Sequence, residues 1–224
     1  MQVAVLSDIH SNKVALDAVL DDLAGDSGVK PDAMVCAGDV VGYNPWPAEC
    51  VAAVREREIP TVMGNHDRAV ASDTTFRFNS MAAAGVEHAR EALDDDALGW
   101  LAGLPDSRTV LDGRLKLVHG HPDDPDRYTY PEEFSASMLG DEDVLVTGHT
   151  HVQGHRLFDE GVVMNPGSVG QPRDSDPRAA YALVDLEDLT VDERRVEYDV
   201  DSVVEAVQEA GLPERIGSRL YEGR

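Results

Sequence analysis

Residues 2–12 read QVAVLSDIHSN, a short apolar run followed at once by polar side chains. The apolar part, residues 2–6, predicts a buried β-strand. Asp8 and His10 come directly after it, two positions apart. Side chains at i and i+2 share one face of an extended segment, so these two can present ligand atoms to a common point.

The same pattern returns along the first third of the chain. The predicted elements after the first strand are a helix over 12–23, a strand over 33–37, a helix over 47–57 and a strand over 59–63. A polar cluster follows each later strand, Gly38-Asp39 after one and Gly64-Asn65-His66-Asp67 after the other. This alternation predicts an α/β fold with parallel strands and ligands at their carboxyl ends.

The rest of the chain contains more predicted strands than helices. Predicted helices are 79–93, 95–104, 132–139 and 201–210, and predicted strands are 109–111, 115–119, 144–147, 154–158, 162–165, 180–186 and 191–200. No repeat, linker or low-complexity segment divides the sequence, so we expect a single domain over 1–224. Residues 72–105 are expected to form a small helical cap over the cleft, and plain packing against the flank of the sheet is the alternative.

Two more polar clusters follow strands in the second half of the chain, Val118-His119-Gly120-His121 and Gly148-His149-Thr150-His151. Each cluster alone is a weak signal, because a histidine at a strand end is commonly a hydrogen-bonded structural residue. The ordered set is a strong signal. Aspartate and histidine side chains placed in this way can present ligands to a bound ion.

These ordered motifs resemble those of the calcineurin-like metallophosphoesterases, namely Asp-x-His, Gly-Asp, Gly-Asn-His-Asp or -Glu, a later His, and Gly-His-x-His. The segment 165–173, NPGSVGQPR, is similar to the small bacterial and archaeal members of phosphodiesterase type. The resemblance implies a four-layer αββα sandwich, in which two mixed β-sheets pack face to face between outer helices. It also implies a site for two metal ions at one edge of the sheets.

The resemblance further implies roles for individual residues. The implied ligands are Asp8, His10 and His151 for one ion, Asn65, His119 and His149 for the other, and Asp39 as the bridging carboxylate. Two divalent ions are expected as cofactors, with Mn²⁺ favoured and Fe, Zn²⁺, Ni²⁺ or Co²⁺ as alternatives. Such a pair would supply a bridging hydroxide that attacks phosphorus. His66, which is not a ligand, would act near the leaving oxygen as general acid or charge stabiliser.

The expected activity is therefore a metal-dependent phosphoesterase. A phosphodiesterase is favoured, because a compact chain with a small cap suits an open cleft. Tyr43, Arg68 and Arg173 are candidate substrate contacts, each with an ordinary structural role as the alternative. Other readings are a phosphomonoesterase or protein phosphatase, a dinucleoside polyphosphatase, and a non-catalytic scaffold. The segment 38–43, GDVVGY, departs from the Gly-Asp-x-x-Asp-Arg of protein phosphatases, and the presence of His66 counts against a scaffold.

The charge balance excludes some partners. With 19 Lys+Arg against 43 Asp+Glu, the formal net charge is −24, and the lysines are Lys13, Lys30 and Lys116 alone. Such a surface suits a halophilic protein in a cytoplasm of high salt, where screening weakens self-repulsion. It shows no basic footprint for duplex nucleic acid. We expect a small phosphate-ester substrate, no membrane partner, and an oligomeric state that the sequence leaves open, a homo-oligomer included.

Overall fold

The computed structural model describes residues 1–25, 30–75 and 78–224. The strands are β1 Gln2–Leu6, β2 Ala33–Cys36, β3 Ser107–Val110, β4 Leu115–Val118, β5 Val144–Val146, β6 Gly154–Phe158, β7 Gly161–Asn165, β8 Ala179–Asp185 and β9 Thr190–Val196. The α-helices are α1 Lys13–Ala24, α2 Pro47–Glu56, α3 Asn65–Ser72, α4 Ser80–Ala92, α5 Asp95–Ala102, α6 Val200–Glu209 and α7 Glu214–Ser218. Three 3₁₀ turns cover Pro131–Glu133, Ala136–Met138 and Arg219–Glu222. Within these residues, no helix has the length and apolar character needed to cross a bilayer.

The strands form two mixed sheets, as predicted. The first has the order β2-β1-β8-β9, with β1 parallel to β2 and antiparallel to β8. The second has the order β3-β4-β5-β7-β6, with β4, β5 and β7 parallel and an antiparallel strand at each edge. Four of the parallel strands, β1, β2, β4 and β5, end at loops that carry predicted ligands, and the fifth, β7, ends at the segment 165–173.

The alternation of side chains along β1 shows how the layers stack. Val3 and Val5 lie in a buried cluster with Leu117 of β4 and Val146 of β5, so the two sheets pack face to face. Ala4 and Leu6 point the other way, into a cluster with α1 and α2. Residues of the segment 131–138 cover the outer face of the second sheet. The predicted four-layer αββα sandwich is confirmed.

Several predicted elements are wrong in extent. The strand over 59–63 is reduced to one bridge between Cys36 and Thr61, because Pro60 has no N–H to donate to a ladder. The helix over 132–139 is replaced by two 3₁₀ turns. The strand over 191–200 ends at Val196, because Asp199 caps α6 by accepting a hydrogen bond from the Ser202 amide at 3.1 Å.

Most of the described part of the segment 72–105 packs on the helix layer. Val86, Ala89 and Leu101 belong to the same buried cluster as Leu16 of α1. Residues 76–77 lie outside the described part of the chain. Phe78 stacks on His66, as described below. The assignment of this segment as a cap, like the single-domain assignment, stays a prediction.

The acidic surface leads to a prediction about salt. Because self-repulsion at a net charge of −24 is screened by ions, the thermal midpoint should rise markedly between 0.1 and 3 M KCl. Most of the rise should come below 1 M, since the Debye length falls from about 10 Å at 0.1 M to about 3 Å at 1 M. Scanning calorimetry over this range measures it. A flat or falling midpoint would contradict the halophilic assignment.

Candidate metal centre

The loops that follow β1 and β2 are hydrogen-bonded side by side. The Asp8 amide donates to the Gly38 carbonyl at 2.9 Å, and the His10 amide donates to the Asp39 carbonyl at 3.0 Å. These bonds continue the parallel pairing of β1 with β2 beyond the strand ends. Asp8, His10 and Asp39 are therefore brought together by the first sheet alone.

The second sheet adds three histidines to the same place. His119 follows β4, and the loop after β5 carries His149 and His151. The Gly148 amide donates to the His119 carbonyl at 2.7 Å, and the His149 amide donates to Asp8 Oδ2 at 3.1 Å. The carboxyl edges of the two sheets thus meet across a single buried cluster.

Backbone contacts fix the proton positions of three rings. Main-chain carbonyls face the Nδ1 atoms of His10 (Val41 O, 3.2 Å), His119 (Ala37 O, 2.8 Å) and His151 (Gln171 O, 2.5 Å). Since a carbonyl can only accept, each Nδ1 must carry a hydrogen and each Nε2 is left to face the cluster. Metal-binding imidazoles are commonly oriented in this way.

His10 and His151 show why a cation fits here. Their Nε2 atoms are 3.0 Å apart, and Asp8 Oδ1 lies 3.7 Å from the first and 3.3 Å from the second. Burial lowers the pKa of both rings, so both are neutral at pH 7. The Nε2 lone pairs of His10 and His151 therefore face Asp8 Oδ1 with no proton between them. This carboxylate oxygen has no hydrogen-bond partner among the described residues. A divalent cation is the group that such a set of donors binds.

Asp39 connects this first group to a second. Its Oδ2 atom is 3.6 Å from His10 Nε2 and 3.4 Å from His119 Nε2, and Asn65 Oδ1 lies 3.3 Å from the same His119 nitrogen. His149 belongs to this second group, and its buried Nε2 atom has no hydrogen-bond partner among the described residues. Among the described residues the geometry thus presents two adjacent sets of donors around Asp39, and a third set that overlaps them consists of His10, Asp39 and His66.

The charges within the second group favour cation binding with proton release. Burial disfavours a charged His119, but the field of Asp39, its hydrogen bond and the field of Asp8 outweigh burial and raise the pKa of His119 to about 10. The proton on Nε2 occupies the position that a metal ion would take. Metal binding at this ring therefore displaces a proton.

The backbone of the ligand loops is strained. A positive φ angle is found at five of the seven predicted ligands: Asp8 (52°), His10 (48°), Asp39 (53°), His149 (67°) and His151 (59°). Left-handed backbone at a residue other than glycine costs about 1–3 kcal/mol and is concentrated at functional sites. No sequence pattern signalled it.

The segment 165–173 supports the first ligand loop. Ser168 Oγ donates to the Asp8 carbonyl at 2.7 Å, and Asn12 Nδ2 donates to the Gly170 carbonyl at 3.0 Å. A side chain in place of the Gly170 hydrogen would overlap the Ile9 carbonyl. This is the structural reason for the motif that follows β7.

His66 lies beside the cluster at the start of α3, a helix that sequence analysis missed. Its ring stacks on Phe78, with centroids 4.7 Å apart and planes at 22°, and lies 4.8 Å from the ring of His10. Gly42, with φ of 100°, leaves room for the ring, because a Cβ atom there would overlap His66 Nδ1. Burial lowers the pKa of His66 to about 4, although the field of Asp39 opposes this.

Asp67 does not orient His66. Its carboxylate accepts hydrogen bonds from the amides of Asp39 (2.8 Å), Val41 (3.2 Å) and Gly64 (3.0 Å). Burial and the neighbouring charge of Asp39 raise the pKa of Asp67 to about 7. Asp67 therefore holds the loop after β2, which carries Asp39, against α3. Among the described residues, His66 Nδ1 has no hydrogen-bond partner.

Two of the three candidate substrate contacts lie next to His66. The Tyr43 ring is 4.7 Å from the ring of His66, and Arg173 donates to the Tyr43 hydroxyl at 3.2 Å. Arg68 is instead held in ion pairs with Asp106 at 3.0 Å and Asp126 at 2.7 Å.

A cavity of about 490 Å³ opens beside the second group of donors. Its lining consists of Asn65, Arg68, Ala69, Thr74, Phe78, Asp126, Tyr128 and His149. Tyr128, which is 50% exposed, places its ring 3.9 Å from that of His149. Sequence analysis missed Phe78 and Tyr128, because an aromatic residue in an irregular loop leaves no periodic signal.

Comparison with known proteins agrees with this geometry. Residues 1–189 match the calcineurin-like phosphoesterase superfamily domain. A crystal structure of a metallophosphoesterase from Sphaerobacter thermophilus is 34% identical, with a TM-score of 0.85 over 100% of this chain and 99% of that one. The phosphodiesterase YfcE of Escherichia coli is 29% identical over 85% of this chain and 91% of its own length. MJ0912 of Methanocaldococcus jannaschii is 34% identical over 99% of this chain and 98% of its own length. This chain belongs to the calcineurin-like phosphoesterase superfamily.

Proposed function

We propose that the protein is a phosphodiesterase that uses two divalent metal ions, Mn²⁺ being favoured. Asp8, His10 and His151 would hold one ion, and Asn65, His119 and His149 the other, with Asp39 shared between them. The observation that carries the proposal is the position of Asp39 Oδ2, between His10 Nε2 at 3.6 Å and His119 Nε2 at 3.4 Å. We further propose that the protein works in a cytoplasm of high salt, because its net charge is −24.

The chain's own residues provide binding and proton transfer. Two bound divalent ions supply Lewis-acid polarisation of a phosphate and a nucleophile at neutral pH. His66 lies next to both donor groups, and its Nδ1 atom has no hydrogen-bond partner among the described residues. Its ring is therefore free to direct an N–H group toward the leaving oxygen. The negative charge of a bound ester would raise the pKa of His66 and favour the protonated form that general acid catalysis needs.

The cavity beside Asn65 and His149 favours a diester over a monoester. A diester carries a second organic group, which needs space next to the scissile phosphorus. The cavity supplies about 490 Å³ with the rings of Phe78 and Tyr128 in its wall. An apolar or aromatic ester group would be desolvated there, whereas a monoester leaves that contact unused.

With Mn²⁺, we expect kcat/KM for bis-p-nitrophenyl phosphate to exceed that for p-nitrophenyl phosphate by about tenfold or more. The reason is that the diester has one additional aromatic group to bury in the cavity. Tyr128→Ala should reduce this preference by raising KM for the diester. Tyr130→Ala is a matched control, since Tyr130 is 40% exposed in the same loop and is not among the residues that line the cavity. Steady-state kinetics measure both.

The same assay distinguishes the alternatives. No hydrolysis of either ester with Mn²⁺, at low and high KCl, would refute the proposed activity. A higher kcat/KM for the monoester would instead support a phosphomonoesterase. A wider screen of phosphodiesters, phosphomonoesters and nucleotides would then narrow the natural substrate, since one such site serves many phosphate esters.

A further inference from the structure

The C-terminal helices pack directly against the candidate active site. Ile216 and Leu220 are buried in one cluster with Tyr43, whose ring lies 4.9 Å from that of His10. The Ser175 amide donates to the Gly223 carbonyl at 2.9 Å, which ties this segment to the loop that carries Arg173. The segment 214–224 therefore forms one wall beside the metal centre.

Arg173 is incompletely satisfied in this position. Its Nη2 atom donates to two neutral groups, the Tyr43 hydroxyl at 3.2 Å and Gln171 Oε1 at 2.8 Å. Its Nε atom is buried and has no hydrogen-bond partner among the described residues. None of the ion pairs in this part of the chain includes Arg173.

Two further arginines lie on the same wall. Arg215 and Arg219 also make no ion pair with a carboxylate side chain in the part of the chain that the structure describes. Arg219 donates through Nε to the main-chain oxygen of Arg224. The pKa of Arg219 is lowered, first by burial and then by the positive charges of Arg173 and Arg215. Arg173 and Arg215 thus each lie close enough to Arg219 for their positive charges to repel it.

This concentration of positive charge contrasts with the rest of the surface. Acidic residues outnumber basic ones by 43 to 19, so a carboxylate partner is available to most arginines. Arg68, Arg114 and Arg195 each pair with at least one aspartate. Like charges that are left together without counter-ions lose stability unless an anion joins them.

A cavity is present where such an anion would bind. It has a volume of about 350 Å³ and is lined by Met81, Arg215, Ser218, Arg219, Glu222 and Arg224. Glu222 is already paired with Arg224 at 3.1 Å, so it does not neutralise the other two arginines. Arginine is well suited to phosphate, because its planar fork donates two parallel hydrogen bonds.

We propose that Arg173, Arg215 and Arg219 form a cationic subsite beside the metal centre that binds a second phosphate group of the substrate. This inference rests on the proposed phosphoesterase function and narrows its substrate to a phosphate ester that bears another phosphate near the scissile one. Arg173 donates to the Tyr43 hydroxyl at 3.2 Å, and Tyr43 lies between His66, 4.7 Å away between ring centroids, and the buried Ile216 and Leu220 of the C-terminal segment.

Two inhibitors that differ by one phosphate group test this subsite. In the diphosphate, a methylene group joins the two phosphorus atoms, so this link is not hydrolysed. Inhibition of bis-p-nitrophenyl phosphate hydrolysis is measured with adenosine 5′-monophosphate and with adenosine 5′-(α,β-methylene)diphosphate, in excess Mn²⁺. The wild-type protein should bind the diphosphate analogue about tenfold more tightly through charge-assisted hydrogen bonds. The double variant Arg215→Gln/Arg219→Gln should lose most of this preference, and Arg215→Lys/Arg219→Lys should retain a part of it.

Arg55→Gln is the matched control, since Arg55 is an arginine of α2 that pairs with Asp96 at 2.8 Å and does not line this cavity, so the variant should keep the wild-type ratio of inhibition constants. Thermal midpoints in 3 M KCl show whether each variant is folded. An unchanged ratio in a folded Arg215→Gln/Arg219→Gln variant would overturn the subsite. An absence of diester hydrolysis in the wild-type protein would instead overturn the proposed function, so the two failures are distinguishable.

Discussion

His66→Ala is expected to lower kcat by roughly 10²–10⁴-fold, the usual contribution of a general acid, while both metal ions stay bound. His66 stands beside the donor groups, but its ring stacks on Phe78, and its Nδ1 atom has no hydrogen-bond partner among the described residues. Removing the imidazole therefore takes away a proton donor without removing a proposed ligand. Elemental analysis and steady-state kinetics on the same preparation test both halves of this expectation.

The size of the loss should depend on the leaving group. It should shrink for p-nitrophenolate, which leaves without protonation, and be full for an alkyl alcohol. His155→Ala is the control, since His155 lies on β6 and contacts Glu193 at 2.7 Å. If His66→Ala loses metal, or slows both leaving groups equally, His66 is not the acid.

Asp39→Ala should lose both metal ions and with them the activity. Asp39 Oδ2 is the carboxylate oxygen that lies within 4 Å of a ring nitrogen in each donor group. His151→Ala should chiefly empty the first site, because its Nε2 atom faces His10 and Asp8. Metal content per chain, measured after dialysis against Mn²⁺, separates the two outcomes.

The control for Asp39 is Asp123→Ala, because Asp123 is an exposed aspartate that lies 3.8 Å from His121 Nδ1. It removes the same chemical group without touching the cluster, and its metal content should equal that of the wild-type protein. Equal metal content in Asp39→Ala and the wild-type protein would refute the shared carboxylate. Retention of one ion would show that one of the two sites holds its metal without Asp39.

Much of the fold was predictable because its signals are local. The strands predicted from apolar runs overlap all nine strands of the described residues. One further predicted strand, at 59–63, is wrong, because Pro60 prevents the ladder from extending beyond a single bridge. The position of polar residues directly after those runs also placed Asp8, Asp39 and His119 correctly at the carboxyl ends of strands. These signals depend on residues close together in the chain, and a sequence displays them directly.

The start of a helix was harder to predict from the sequence where no apolar periodicity marked it. The motif at 64–67 was read as a turn after a strand, yet Asn65 begins α3. The reason is tertiary, since Asp67 accepts hydrogen bonds from Gly64 and from two amides of the β2 loop. A neighbour from another part of the chain thus decides where this helix begins and which way its side chains point.

The sequence by itself determined which residue types are present for the chemistry, their order, and the sheets that carry them. Only the tertiary structure decided that His10 and His151 face each other at 3.0 Å, that Phe78 stacks on His66, and that Arg173 donates to the Tyr43 hydroxyl. These relations join residues far apart in the chain. They arise because the two sheets pack face to face and the C-terminal helices pack against Tyr43, and packing of that kind leaves no periodic trace in a sequence.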